Sequence, residues 1–331
     1  MAVDTLDPAA KAARKAEKLK RLSGDASDGA VPGGIPDDIQ RGLDATSAFF
    51  ERAVFIAGMG RSGTTLLLRL IDGHPEVFLV PHESMVFTHF LASFRNKGDV
   101  KAVADGVTQR FGKMMTDKGH LAEGKEFLHR SLPVRLRGKE KLGRAVFRDL
   151  LACLTLEHSP ADKRMWLEKT PKNEVHLAEI FENFPKAKVI FNIRDPRAVY
   201  ASNVKGNVRN TTPAGVAHSW AQRLNLMLDF LAANPGRRER VFFTRYEDYV
   251  GRPDYEIPRM LNFLGIDPNV ELKPTFHGES WSGNSYDAKA NTPGKIDDKK
   301  INAWRNEISA EDAAIIAREA AFEMSLVGYK D

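Results

Sequence analysis

Short apolar runs alternate with helix-like segments through most of the chain. The run Val54–Gly58 ends in glycine, and a polar loop then leads into a leucine-rich segment, which is typical of a strand, a loop and a helix. Two further apolar runs, Lys188–Ile193 and Arg240–Arg245, predict buried strands. The helix-like segment Glu174–Phe184 precedes the second strand, and another helix starts after it near Pro196.

This alternation of strands and helices predicts the fold class. We expect an α/β protein whose parallel sheet carries helices on both faces, with the loops that follow the strands gathered at one edge, where ligands bind. Residues 85–165 have a mainly helical pattern and predict a cap or acceptor-site insertion. The α/β domain as a whole is expected to cover residues 46–331.

The first 45 residues differ from the rest in composition. A Lys/Ala-rich stretch, Ala9–Leu22, is followed by Gly, Asp, Ser and Pro, which predicts a basic helical arm and a linker. The charges of the arm are typical of a solvated helix, and docking on an anionic surface or a partner subunit is the alternative.

Composition and charge narrow the class of protein. The 331 residues are 42% hydrophobic, enough for a large core, and 49 Lys and Arg face 44 Asp and Glu. The resulting charge of +5 suits a phosphorylated ligand and is too mild to indicate a nucleic-acid partner. Cys153 is the only cysteine, so no disulfide joins two parts of the chain.

Targeting signals are not evident in the sequence. No apolar run approaches the roughly 20 residues of a transmembrane segment, and Lys and Arg interrupt the N-terminal stretch where a signal peptide has its apolar core. We therefore expect a cytoplasmic protein. The oligomeric state stays open, a homo-oligomer included.

The loop after the first predicted strand has the glycine spacing of a Walker A loop. In such a loop, backbone N–H groups surround an anion at a helix N-terminus. Thr64 stands where the nucleoside-triphosphate pattern has lysine, and a cation occurs earlier, at Arg61. The loop predicts phosphate or sulfate binding, and a tight strand-to-helix turn is the alternative. Its residues are Gly58, Met59, Gly60, Arg61, Ser62, Gly63, Thr64 and Thr65.

The segment after the second strand combines a cation with a hydroxyl group. Asp195 can cap the following helix and Pro196 can occupy its first turn. Ser202 follows Arg194 by about two helical turns, which favours the same side of the helix for both. An arginine and a hydroxyl predict a second phosphate site; the alternative is a surface ion pair of Asp195 with Arg197, with Ser202 as a packing residue.

Together these motifs resemble the superfamily of sulfotransferases that depend on 3′-phosphoadenosine 5′-phosphosulfate (PAPS), and most closely its tyrosylprotein-sulfotransferase-like and bacterial branch. The resemblance spans about residues 50–330 and implies a P-loop-like parallel sheet, with PAPS as donor and adenosine 3′,5′-bisphosphate as product. The segments that carry it are Gly60–Thr65, Glu168–Pro171, Arg194–Ser202, Arg245–Asp248, Phe263–Gly265 and Trp304–Tyr329.

The resemblance also implies roles for binding residues. It assigns the 5′-phosphosulfate to the glycine loop and the 3′-phosphate to Arg194 and Ser202. The segment Asn284–Lys295 resembles the family's late loop, so Ser285 and Lys295 are further candidates for closing the nucleotide site. The loop residues concerned are Gly60, Arg61, Ser62, Gly63, Thr64 and Thr65.

Catalytic candidates follow from the chemistry of sulfuryl transfer. Charge builds on the bridging oxygen as the nucleotide departs, so cations aimed at that oxygen are needed. Arg61 and Lys169 are the candidates, and a solvated loop position is the alternative for Lys169. Glu83 resembles the family's acidic base, yet counting without gaps from Arg61 places His82 there; a third alternative is that both only begin a helix.

The sequence therefore predicts a sulfotransferase that moves a sulfuryl group from PAPS to an acceptor, most simply a hydroxyl. The acceptor is a small alcohol, a lipid, a sugar or a peptide. No His, Cys, Asp and Glu cluster has metal-ligand spacing, so we expect catalysis without a metal. A P-loop kinase or ATPase is disfavoured by the missing lysine, and a non-catalytic nucleotide-binding protein is the other alternative.

Overall fold

A parallel sheet forms the centre of the fold. The computed structural model describes residues 30–115, 117–270 and 298–330, and within these ranges the sheet has five strands in the order β2-β3-β1-β4-β5. All neighbouring pairs are parallel, which confirms the predicted sheet. The strands are β1 (Ala53–Ala57), β2 (Val77–Leu79), β3 (Met165–Lys169), β4 (Lys188–Ile193) and β5 (Val241–Arg245).

Helices occupy most of the remaining described residues. Short 3₁₀ turns lie at Asn173–His176, Pro235–Arg240 and Asp298–Lys300, and a π-helical turn lies at Val86–Phe90. The α-helices are α1 (Asp37–Ser47), α2 (Thr64–Asp72), α3 (Leu91–Lys97), α4 (Val100–Phe111), α5 (Lys118–Arg137), α6 (Leu142–Leu154), α7 (Leu177–Asn183), α8 (Pro196–Lys205), α9 (Pro213–Ala233), α10 (Tyr246–Gly251), α11 (Pro253–Leu264), α12 (Trp304–Glu307), α13 (Ala310–Glu319) and α14 (Ala321–Leu326).

Both faces of the sheet are buried beneath helices. Along β1, Phe55 belongs to one apolar core while Val54 and Ile56 belong to another, because successive side chains of a strand point to opposite faces. The second core is completed by α2, α10 and α11. The predicted α/β fold with helices on both faces is therefore confirmed.

Strands β2 and β3 are the two that the apolar pattern does not predict. Strand β2 is only three residues long. Strand β3 ends in two charged residues, Glu168 and Lys169, which are nevertheless buried. The alternative that Lys169 is a solvated loop lysine is therefore wrong, since it is the last residue of a buried strand.

The region 85–165 is mainly helical, as predicted, and shares its core with the sheet. Phe87 and Phe147 pack edge-on against Phe55 of β1, with ring centroids 5.8 and 5.9 Å apart. Helix α1 packs on α6 so closely that a Cβ at Gly42 would lie 2.6 Å from the carbonyl oxygen of Ala152. The domain boundary predicted at residue 45 lies inside α1.

None of the described helices combines the length and the apolar character that a bilayer crossing requires.

Candidate active site

The predicted strand, glycine loop and helix are present as β1, residues 58–63 and α2. The loop turns sharply, with positive φ angles of 144° at Gly58, 71° at Arg61 and 90° at Gly63. A Cβ at Gly63 would lie 2.4 Å from Cδ2 of Tyr246 and 2.7 Å from the hydroxyl oxygen of Tyr249. Both its backbone angle and its surroundings therefore require glycine at this position.

Neighbouring side chains hold the carbonyl groups of the loop. The Nδ2 amide of Asn192 donates to the carbonyl oxygen of Ser62 at 2.8 Å, and the Tyr249 hydroxyl donates to that of Gly63 at 3.1 Å. The first N–H groups of α2 have no partner inside the helix, as at any helix N-terminus. The hydroxyl oxygen of Ser62 is buried and has no hydrogen-bond partner among the described residues, so the loop fits an anion.

A buried carboxylate fixes the start of the loop. Glu174 accepts a hydrogen bond from the N–H of Gly58 at 2.9 Å and pairs with Arg223 at 2.5 Å. Asn173 beside it donates to the carbonyl oxygen of Ile56 at 3.1 Å. The turn after β3 is thus tied to the end of β1, which places Lys169 next to the loop.

Two arginines and a serine meet beside the glycine loop. Nε of Arg61 donates to Oγ of Ser202 at 3.0 Å, and Arg194 donates to the carbonyl oxygen of Arg61 at 3.2 Å. The guanidinium of Arg194 lies 4.1 Å over the ring of Tyr246. These residues line a small cavity of about 50 Å³ together with Ala198, Lys205, Lys300, Ala303, Trp304 and Glu307.

The positive charge of the two arginines favours an anion in this cavity. Burial, and then the positive charge of Arg194, lower the pKa of Arg61, so the two guanidinium groups repel one another. Neither forms an ion pair with a carboxylate in the part of the chain that the structure describes, and Glu307 instead pairs with Lys205 at 3.3 Å. Nε of Arg194 is buried without a hydrogen-bond partner there. A bound phosphate would supply the missing charge and acceptors.

The cap of α8 orients this second site. Asp195 accepts from the N–H of Arg197 at 2.9 Å and pairs with its guanidinium at 2.8 Å. The pair proposed as an alternative does form, but both residues are buried, so it is no surface ion pair. Because Ser202 bonds to Arg61 and Arg194 bonds to the backbone of Arg61, the structure brings the three residues together. The helical spacing predicted only that Arg194 and Ser202 lie on the same side.

Lys169 and Glu83 form a second charged pair at the same edge of the sheet. Nζ of Lys169 lies 2.7 Å from Oε1 of Glu83. The neighbouring Glu168 points inward and accepts from Oγ of Ser84 at 2.8 Å, from Nδ2 of Asn173 at 3.0 Å and from Thr170. Burial raises the pKa of Glu168. Glu168 thus holds the chain after Glu83 against the end of β3.

The sequence model of the sulfotransferase family matches residues 53–269. The chain belongs to the sulfotransferase family. Nodulation protein NoeE of Sinorhizobium fredii (strain NBRC 101917 / NGR234) is 27% identical to this sulfotransferase over 315 residues, covering 84% of this chain and 67% of that protein.

Two solved sulfotransferase domains share its fold. The domain from the curacin biosynthetic pathway matches with a TM-score of 0.53 and 19% identity, over 84% of this chain and 98% of that domain. The domain from the olefin synthase of Synechococcus PCC 7002 has a TM-score of 0.52 and 22% identity, over 82% of this chain and 94% of that domain. The identities are low, so the likeness concerns the fold.

The other base candidate of this sulfotransferase lies beside the first. His82 is half-buried, and burial lowers its pKa from the ordinary value of 6.5 despite the opposing effect of Glu83. The imidazole is therefore neutral near pH 7. Glu83 contacts Lys169, whose positive charge also contributes to lowering the pKa of His82, and the choice between the two candidates stays a prediction.

The remaining candidates differ in what the structure says of them. The guanidinium of Arg61 turns to Ser202, so Lys169 is the candidate cation that contacts a candidate base. Ser285 and Lys295 lie outside the described residues. The sequence does not predict that Glu174 fixes the glycine loop or that Tyr246 packs under Arg194. Both roles depend on contacts between residues that are distant in sequence.

Proposed function

We propose that this sulfotransferase moves a sulfuryl group from PAPS to an acceptor hydroxyl. The meeting of Arg61, Arg194 and Ser202 at one cavity beside the glycine loop carries the proposal. Strands β1 and β4 are neighbours in the sheet, so the loop after β1 and the cation after β4 form two adjacent anion sites. PAPS has a 5′-phosphosulfate and a 3′-phosphate, and so presents one anion to each.

The donor supplies a sulfuryl group whose bond to the phosphate oxygen breaks as the bond to the acceptor oxygen forms. We assign to Glu83 the acceptance of the acceptor's proton, because its partly exposed carboxylate lies beside Lys169 at the end of β3. Lys169 balances the charge on the departing bridging oxygen. Its ammonium group has three donors, so it can hold Glu83 and donate to that oxygen together.

The glycine loop and the second cavity hold the nucleotide. The loop's N–H groups and the Ser62 hydroxyl bind the 5′ end, with Thr64 and Thr65 at the start of α2. Arg194, Arg61 and Ser202 bind the 3′-phosphate through charge-assisted hydrogen bonds. We therefore assign the Arg61 side chain to nucleotide binding, while its backbone shapes the loop.

Calorimetric titration with adenosine 3′,5′-bisphosphate, adenosine 5′-monophosphate and MgATP tests the proposal. We expect the bisphosphate to bind at least about tenfold more tightly than the monophosphate, which is about 1.4 kcal/mol, and EDTA to leave this binding unchanged. A preference for MgATP would instead favour a kinase or ATPase.

A charge-matched pair of variants makes this test specific. Arg194→Gln should remove most of the preference for the bisphosphate while changing monophosphate affinity little. Arg238→Gln changes the net charge equally and should leave both affinities unchanged. Arg238 lies just before β5, at the amino-terminal ends of the strands and away from the cavity. Equal effects of the two variants would mean that binding reflects net charge rather than a built 3′-phosphate site.

A further inference from the structure

The peptide bond between Arg194 and Asp195 is held from both sides. Nε1 of Trp220 donates to the carbonyl oxygen of Arg194 at 2.9 Å, and the N–H of Asp195 donates to Oε1 of Glu247 at 3.0 Å. Because both polar groups of this peptide are bonded, the direction in which the Arg194 side chain leaves the backbone is fixed.

Tyr329 contacts both residues that hold this peptide. Its hydroxyl donates to Oε2 of Glu247 at 2.7 Å, and its ring meets that of Trp220 edge-on with centroids 6.1 Å apart. Next to it, the carbonyl oxygen of Lys330 accepts from Arg197 at 2.8 Å. Burial and the charge of Glu247 raise the pKa of Tyr329, so its hydroxyl remains a donor.

We propose that Tyr329 is a positioning residue of the 3′-phosphate site. It lies outside the residues that line the cavity around Arg61 and Arg194, and it acts through Glu247 and Trp220 on the peptide that aims Arg194. This inference rests on the proposed binding of PAPS, and it extends the site to a residue far from the nucleotide motifs in sequence.

The geometry distinguishes positioning from general stabilisation. Removing only the hydroxyl leaves the ring packed on Trp220, but one oxygen of the partly buried Glu247 carboxylate loses its donor. A carboxylate without that donor is free to shift away from Asp195, which loosens the peptide and the aim of Arg194. The loss should therefore concern the 3′-phosphate specifically.

Calorimetry on Tyr329→Phe with the bisphosphate and the monophosphate tests this inference. We expect the affinity for adenosine 3′,5′-bisphosphate to fall about tenfold, while that for adenosine 5′-monophosphate changes less than about twofold. Tyr255→Phe is the matched control, since Tyr255 is exposed on α11, and it should change neither affinity.

The route of the effect is tested at Glu247 and Trp220. Glu247→Gln keeps an acceptor for Asp195 and should retain the selectivity, whereas Glu247→Ala should lose it and make a further Tyr329→Phe change ineffective. Where Glu247→Ala does not fold, Trp220→Phe serves instead, because it removes the donor to Arg194 and should produce the same selective loss.

The outcomes separate the two proposals. A wild-type protein with no preference for the bisphosphate would overturn the proposed function itself. A wild-type preference that Tyr329→Phe leaves intact, or a Tyr329→Phe change that weakens both nucleotides equally, would overturn the positioning role alone.

Discussion

Lys169 and Glu83 form an ion pair of 2.7 Å in which the lysine side chain is 3% exposed and the glutamate 36% exposed. The pair is a consequence of the sheet, because β2 and β3 are neighbours and the N–H of Val80 still bonds to Leu167 just beyond β2. The chain after β2 is therefore held beside the end of β3. A buried cation thus faces a carboxylate that solvent, or a substrate, can reach.

Replacing the carboxylate tests the assigned base. Glu83→Gln keeps the shape of the side chain and a hydrogen bond to Lys169 but cannot accept the acceptor's proton, so kcat should fall about a hundredfold. Affinity for adenosine 3′,5′-bisphosphate should stay within about twofold. Steady-state turnover of PAPS with a panel of hydroxyl acceptors, together with calorimetry, measures both.

His82→Gln tests the alternative base. With Glu83 as the base, kcat should change less than about fivefold, a small fraction of the loss from removing a base. The opposite ranking of the two variants would assign the base to His82, and full activity in both would exclude both residues.

Removing the buried cation tests the role of Lys169. Lys169→Met fills a similar volume without charge, so the departing bridging oxygen loses its stabilisation and kcat should fall by about 10²–10³. Lys186→Met makes the same change of charge and should retain activity, because Lys186 precedes β4 at the amino-terminal ends of the strands. Comparable losses in the two would argue against a specific role for Lys169.

The glycine loop predicts a difference in stability between two of its glycines. Gly63→Ala combines a positive φ angle with a Cβ only 2.4 Å from Tyr246, and should lower the free energy of unfolding by about 2–4 kcal/mol. A Cβ at Gly60 would meet no atom within 4 Å, so Gly60→Ala should cost much less. Thermal denaturation without nucleotide compares them.

His82 predicts a pH dependence of stability. Its folded-state pKa is lowered from 6.5 by burial, so the unfolded chain binds a proton more readily than the folded protein between these two pKa values. The contribution of neutral His82 to the free energy of unfolding is therefore fully present above about pH 6.5, and it is lost as the pH falls through the folded-state pKa. The thermal midpoint of the wild type should fall relative to His82→Gln between about pH 7 and pH 5. His89 is exposed and serves as the control. If His89→Gln changes the pH dependence of the thermal midpoint as much as His82→Gln does, the burial of His82 is not its cause.

The sequence predicts the parts of the fold that rest on local pattern. The apolar residues of β1 and β4 indicate strands because neighbours on both faces bury them. The edge strand β5 has the same apolar pattern, although three of its five residues are only partly buried. Arg194 and Ser202 line the same cavity because α8, capped by Asp195, begins directly after Arg194 and carries Ser202 back to that side. In these places, residues that are neighbours in sequence are sufficient to predict the structure.

Other features depend on contacts between distant residues and could not be predicted in this way. Strand β3 buries Glu168 because Ser84, Thr170 and Asn173 satisfy its carboxylate, and a charge is otherwise evidence against a buried strand. The bond between Tyr329 and Glu247 joins residues 82 positions apart. A pattern read along the chain carries no information about such pairs.

The strand order divides the molecule into parts that can vary separately. The two proposed nucleotide sites follow β1 and β4, whereas the helices α3 to α6 are inserted between β2 and β3. On the predicted role of this insertion as the acceptor site, exchanging it among relatives would present new acceptors to an unchanged donor site and would give chimeric enzymes. Such grafts would have to keep Phe87 and Phe147, because their packing on Phe55 makes the insertion part of the core.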